Sequence, residues 1–166
     1  IYFLSITLKI ESILMTQKYS YQSLGDPKAE NTLIFLHGWG GSSKSFENLS
    51  NKILDQKKDL HLILLDLPGF GEAQMPPEDG WTTHEYQTWF EGFLANSQSL
   101  ITKSQLHLYG HSFGCRVILR HLNKHHNFPG KIILTGAAGV KWTPSFKMRC
   151  TKFLNKCFTP FKALLP

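Results

Sequence analysis

Four apolar runs, each closing on a glycine turn, constrain this chain more than any other feature: "TLIFLHG" (32–38), "LHLILLDLPGFG" (60–71), "SQLHLYG" (104–110) and "KIILTGAAG" (131–139). The first is apolar at successive positions, the mark of a strand buried on both faces, and the others repeat the design. Between the runs the apolar residues switch to helical spacing. Phe46, Leu49 and Ile53 give one face; Thr82 and Glu85 form a capping box ahead of Tyr86, Trp89, Phe90, Phe93 and Leu94. "FGCRVILRHL", directly after Ser112, is apolar nearly all round and predicts a helix packed under other structure. Strand and helix in alternation predict an α/β fold, a mostly parallel sheet with helices on both faces.

A chain of 166 residues that is 42% apolar buries one core, so a single domain is expected. Three cysteines (Cys115, Cys150, Cys157) without a CxxC spacing argue against a disulfide framework and a zinc site, and fit a reducing, cytoplasmic setting. The net charge of +6 lies wholly in the last 26 residues, which hold six basic and no acidic side chains. Such an end serves an anionic ligand or is simply the solvated face of a helix; no nucleic-acid partner is assigned. The opening "IYFLSITLKIESILM" is too short to span a bilayer and lacks the basic start and cleavage site of a signal peptide. Residues 1–18 read as an extension or a partial first strand, 19–140 as the core, and 141–166 as the start of a basic amphipathic helical lid.

The chemistry sits at the turns. "GHSFG" (110–114) places Ser112 at the C-terminal end of a buried parallel strand and at the entry to a helix, the edge where ligands sit in open α/β folds. Gly110 and Gly114 are needed because side chains there would collide with neighbouring elements, and the serine itself is held at strained angles. The helix start aims unpaired N–H groups and a positive dipole end at the same place, so the Phe113 N–H is the natural donor to a developing oxyanion. "HGWGG" (37–41) follows the first buried strand; Gly38 and its neighbours let backbone approach a reacting carbonyl, and the Trp39 N–H is the second donor.

With "HGWGG", "DLPGFG" and "GHSFG" in this order, the chain resembles the α/β-hydrolase fold family over about residues 19–140. The first two motifs are similar to those of small carboxylesterases, and are shared too widely to indicate one substrate. The resemblance implies Ser112 as nucleophile, Trp39 and Phe113 as oxyanion-hole donors, no cofactor, and a small-molecule acyl ester as substrate, with an anionic or carrier-bound form left open. Cys115 stands where the family has a small residue, and close helix packing is its expected role.

In this family the acid and base of the triad follow the serine, yet no aspartate or glutamate follows Glu91. His121, His125 and His126 lie on the helix after Ser112 and should point away from it. His121 and His125 have the i, i+4 spacing of a metal pair, but no third ligand is apparent, so no metal is assigned. His111 is expected on the opposite side of the pleat, His37 belongs to the oxyanion loop, and Asp66 reads as a turn-stabilising residue. The sequence therefore reads as the N-terminal part of a hydrolase, truncated before the last strands and inactive alone. Residues 146–161 carry an apolar stripe at helical spacing opposite Arg149, Lys152 and Lys156, where a lid begins in complete members; membrane contact is not expected of it. The competing reading is a non-catalytic binding module that keeps the cleft. Epoxide hydrolases and dehalogenases carry an aspartate at the elbow, and Ser112 speaks against them.

Overall fold

The computed structural model of the chain describes residues 19–76, 80–101 and 105–138. The expectations for residues 1–18 and for the basic helix over 141–166 lie outside these residues.

Strands β1 (Tyr21–Gly25), β2 (Asn31–Leu36), β3 (His61–Leu65), β4 (Gln105–His111) and β5 (Ile132–Thr135) form one sheet in the order β1-β3-β2-β4-β5. β3, β2, β4 and β5 run parallel. Parallel neighbours need a crossover, and the helices supply it: α1 (Glu47–Gln56), entered through a 3-10 turn at Ser43–Phe46, then α2 (Thr83–Asn96) with the short α3 (Gln98–Ile101), and α4 (Phe113–Lys124).

Every residue of β3 is fully buried, as a central strand covered on both faces requires. Its alternate side chains divide between two cores. Leu62 and Leu64 join Phe35 and Phe46 beneath α1, with Ile53 and Leu54 at the margin. Ile63 and Leu65 join Ile34, Leu36 and Leu108, and this core takes in Trp89, Phe90 and Phe93 of α2 and Val117 and Ile118 of α4. Helices thus lie on both faces, as expected. The Thr82–Glu85 box starts α2: the Thr82 N–H donates to the Glu85 carboxylate at 2.7 Å, and the His84 N–H donates to Thr82 Oγ1 at 3.1 Å.

Several details differ from the sequence reading. β1, antiparallel to β3 with Tyr21 opposite Leu65, was not foreseen. Its "YQSLG" alternates between exposed and half-buried positions, as an edge strand with little apolar content can. The second run does match its reading, a strand to Leu65 followed by a turn over 66–71. Helix α4 is two-faced rather than apolar all round, since Arg116, Leu119 and Arg120 are exposed while Val117, Ile118 and His121 are buried. Leu49 of α1 is 37% exposed rather than part of a buried face. At the far edge, β5 pairs only with β4 among the described residues, and Ile132 and Ile133 are exposed.

Candidate functional site

At the β4–α4 junction the register pairs Leu36 with Gly110 and His111 with Thr135, so the chain leaves the sheet level with the ends of both neighbouring strands. Ser112 is the next residue. Its φ of 49° is the single positive value among the described non-glycine residues, and with ψ at −105° it lies outside the left-handed helical basin. A conformation of this kind costs about 1–3 kcal/mol and persists only where neighbours hold it. Here the holders are on the β5 side. The Ser112 N–H donates to the Thr135 carbonyl at 3.0 Å, and the Ser112 carbonyl accepts from the Ala138 N–H at 3.3 Å. The side chain makes no capping bond to α4, which leaves Oγ uncommitted.

The glycines around Ser112 are places of contact. A Cβ on Gly114 would overlap the Leu36 carbonyl, and one on Gly110 would sit 2.9 Å from both Cys115 N and Ile118 Cδ1. A Cβ on Gly38 would lie 3.2 Å from the Ser112 Cβ, so the 37–41 loop passes directly beside the serine. Within that loop the Gly41 N–H donates to the Gly38 carbonyl at 3.0 Å, and Gly40 has φ +74°, the pattern of a type II turn with Trp39 at its first corner. No turn or loop bond among the described residues uses the N–H of Trp39 or of Phe113, and Phe113, first in α4, has no intrahelical acceptor. Both donors remain free.

The loop is held from beneath by His37. Its Nε2 accepts from the Leu67 N–H at 3.0 Å, so the ring proton is on Nδ1, which donates to the Gly38 carbonyl at 2.8 Å. Burial pushes the His37 pKa below its ordinary value, and the Gly38 carbonyl and the Asp66 charge oppose that without reversing it. A neutral ring committed at both nitrogens cannot serve Ser112 as a base. Asp66 ties three segments together, accepting from the Ser43 N–H at 2.6 Å, the Glu72 N–H at 3.1 Å and Ser20 Oγ at 3.0 Å. Burial alone would raise its pKa; these hydrogen bonds outweigh it and hold the carboxyl below its ordinary value. Asp66 therefore stabilises the turns, the role read from sequence.

Ser112, Trp39 and Gly38 line an open cavity of about 520 Å³ with Ser45, Phe46 and Tyr109. Trp39 is 66% exposed, and its ring meets Phe70 and Phe113 edge to face, with centroids 4.9 and 5.2 Å away. The Phe113 side chain is buried in the core beside Tyr86, so what Phe113 turns toward the serine is backbone. His111 also lines this cavity, on the side it shares with Tyr109 and Thr135, with Nδ1 3.2 Å from Thr135 Oγ1. Cys115 is fully buried, its Sγ donates to the Thr135 carbonyl at 3.5 Å, and burial raises its thiol pKa, all features of a packing residue.

His121 and His125 project from the far end of α4. The fold brings them the carboxylate that sequence spacing did not reveal: Glu91 of α2, with Oε1 2.7 Å from His125 Nε2 and 3.6 Å from His121 Nδ1. Only the packing of α2 on α4 makes this meeting visible.

Residues 31–162 match the family model described as the alpha/beta hydrolase fold. The chain belongs to the α/β-hydrolase fold family. Among its relatives are a protein of Arabidopsis thaliana named "Probable lysophospholipase BODYGUARD 4", 33% identical over 72% of this chain and 26% of its own length, and "AB hydrolase superfamily protein YisY" of Bacillus subtilis, 30% identical over 67% and 39%. "Lipase 1" of Psychrobacter immobilis is 28% identical over 80% of this chain and 40% of its own. The chain spans less than half the length of these curated α/β-hydrolase relatives. Among solved structures, a lipase-esterase related protein from Clostridium acetobutylicum superposes with a TM-score of 0.61 at 27% identity, covering 84% of this chain and 58% of that one. An esterase from Exiguobacterium antarcticum gives 0.63 at 23% identity, over 77% and 44%, and speaks to the α/β-hydrolase fold alone.

Proposed function

We propose that the whole protein is a serine hydrolase acting on a carboxylic ester or a related acyl bond, with Ser112 as its nucleophile. The observation that carries this reading is the conformation of Ser112, strained at φ 49° and pinned to the end of β5 while its Oγ stays uncommitted. A serine kept only for packing has no need of that strain. In the reaction Ser112 Oγ attacks the acyl carbon and its proton passes to a general base. The carbonyl oxygen takes up the negative charge, facing the N–H groups of Trp39 and Phe113. Collapse expels the alkoxide, which leaves with the proton, and water then cleaves the acyl-enzyme.

The base and its partner acid are assigned to residues beyond those described. His37 is committed at both nitrogens, His111 faces Thr135, and His121 and His125 stand with Glu91. Relatives more than twice the length of the matched segment, two of them named as lipase and lysophospholipase, support a longer protein acting on esters. The positive charge of residues 141–166 favours an anionic or carrier-bound acyl substrate. A cytoplasmic setting belongs to the same reading. Among the described residues no helix is long and apolar enough to cross a membrane.

The test is labelling of the full-length protein by a fluorophosphonate probe, together with turnover of p-nitrophenyl esters of graded chain length. The expected result is one label at Ser112, with Ser112→Ala losing the label and lowering turnover by a factor of about 10⁴ or more. Ester turnover that survives Ser112→Ala would overturn the assignment. A folded full-length protein that neither labels nor turns over would instead support a second reading, a binding module that keeps the cleft.

A further inference from the structure

Where α2 crosses α4, three side chains converge that the hydrolase reading does not use. Glu91, His121 and His125 place a carboxylate oxygen and two imidazole nitrogens within 4.8 Å of one another. Phe90 and Phe128 meet the His121 ring edge to face, with centroids 5.5 and 6.3 Å away, and fix its direction. The His121 side chain is 8% exposed, and its Nδ1 is buried with no hydrogen-bond partner while aimed at Glu91 Oε1, 3.6 Å away. Natural proteins seldom leave a buried ring nitrogen unpaired, because the desolvation cost of about 1–3 kcal/mol is then unrecovered. An ion pair holds His125 and Lys124 to Glu91 at 2.7 Å, whereas His121 Nδ1, 3.6 Å from the same carboxylate, is too far for a hydrogen bond.

We propose that Glu91, His121 and His125 bind a Zn²⁺ ion that joins α2 to α4. Two neutral imidazoles and one carboxylate suit a borderline cation of this kind, and the half-exposed His125 leaves room for water as fourth ligand. Tetrahedral bonds of about 2.0–2.1 Å put donor atoms about 3.4 Å apart, so the 2.7 Å contact of Glu91 Oε1 with His125 Nε2 must open by roughly 0.7 Å while the 3.6 Å separation from His121 Nδ1 already suits the ion. The exposed side of His125 can make that movement, and the ion then occupies the space between His121 Nδ1 and Glu91 Oε1. Two cations compete for the carboxylate. Lys124 Nζ lies 2.7 Å from Glu91 Oε2, and a protonated His125 would hold Oε1; Zn²⁺ displaces the proton and leaves Lys124 on the second oxygen. The ion's role is structural. It clamps the end of α4 remote from Ser112, about 13 Å along the helix at 1.5 Å per residue.

The experiment uses the full-length protein stripped with chelator and then titrated with ZnCl₂. It is followed by calorimetry and thermal unfolding, with Co²⁺ absorption as a probe of tetrahedral coordination and MgCl₂ as control. One Zn²⁺ per chain should bind with micromolar or tighter affinity and raise the Tm, while Mg²⁺ does neither. His125→Gln and Glu91→Gln, with circular dichroism as the check on folding, should each weaken Zn²⁺ by about 10–100-fold or more and remove the tetrahedral Co²⁺ bands. Lys124→Ala should tighten Zn²⁺, because it removes a competitor and no ligand. No Zn²⁺-dependent shift in Tm, equal uptake by the His125→Gln protein, or weaker binding in Lys124→Ala would each overturn the site.

Discussion

The backbone N–H of Ser112 donates to the carbonyl of Thr135 at 3.0 Å, so the strained residue is held by the strand next to it rather than by its own turn. Thr135 also places Oγ1 within 3.2 Å of the Tyr109 hydroxyl, the Gly110 carbonyl and His111 Nδ1. One residue of β5 therefore organises both sides of the junction. If it holds strain that chemistry requires and stability does not, relieving the strain should show as a gain.

Ser112→Gly is expected to stabilise the fold by about 1 kcal/mol, since relief of 1–3 kcal/mol exceeds the entropy that glycine adds to the unfolded chain. Denaturant unfolding of both proteins under one condition measures it. A loss of stability would mean that the φ of 49° is not strained in its surroundings.

Two glycine substitutions separate crowding from backbone conformation. At Gly114 a Cβ meets the buried Leu36 carbonyl at the end of β2, and Gly114→Ala should cost more than about 3 kcal/mol or prevent folding. At Gly40 nothing lies within 4 Å, but φ is +74°, so Gly40→Ala should cost only about 1 kcal/mol. By tilting the turn that presents the Trp39 N–H, it should lower kcat more than it lowers Tm.

Asp66→Asn should lower stability at pH 7 by about 1–3 kcal/mol, because the amide presents its NH₂ toward N–H groups that need an acceptor. The Asp66 carboxyl is held below its ordinary value of 3.8, so its contribution is present above that pH and is lost as pH falls through the lower folded value. Acid unfolding of Asp66→Asn should accordingly be shallower below pH 4.

The pKa of His37 is lowered by burial, so the unfolded state takes up its proton first as pH falls below 6.5. Stability should be full above that pH and decline as pH drops toward the folded value. His37→Gln should flatten this decline without removing it, because His61, His107 and His121 are shifted in the same direction. A series of urea midpoints from pH 8 to 5 measures the slope; an unchanged slope would mean that His37 is not held neutral.

The parallel strands were legible because their runs are apolar where both faces are covered, and the start of α2 because Thr82 and Glu85 carry the cap in their side chains. Ser112 and the 37–41 loop were legible because glycine spacing encodes close approach. β1 was not, since an edge strand needs no apolar face and "YQSLG" supplies none. Nor was the meeting of Glu91 with His121 and His125, which lies 30 and 34 residues away in sequence and is created by helix packing alone.

The two ends of the sheet differ in how they meet other molecules. β1 closes one end with a short strand whose outward groups are largely polar, whereas β5 presents Ile132 and Ile133 beside a row of backbone groups that no described strand occupies. Such a rim is adhesive, and at high concentration these residues should join copy to copy through β5. Handling the 166-residue chain as a soluble reagent therefore calls for a charge at this rim, such as Ile133→Lys, more than for any change to the cores.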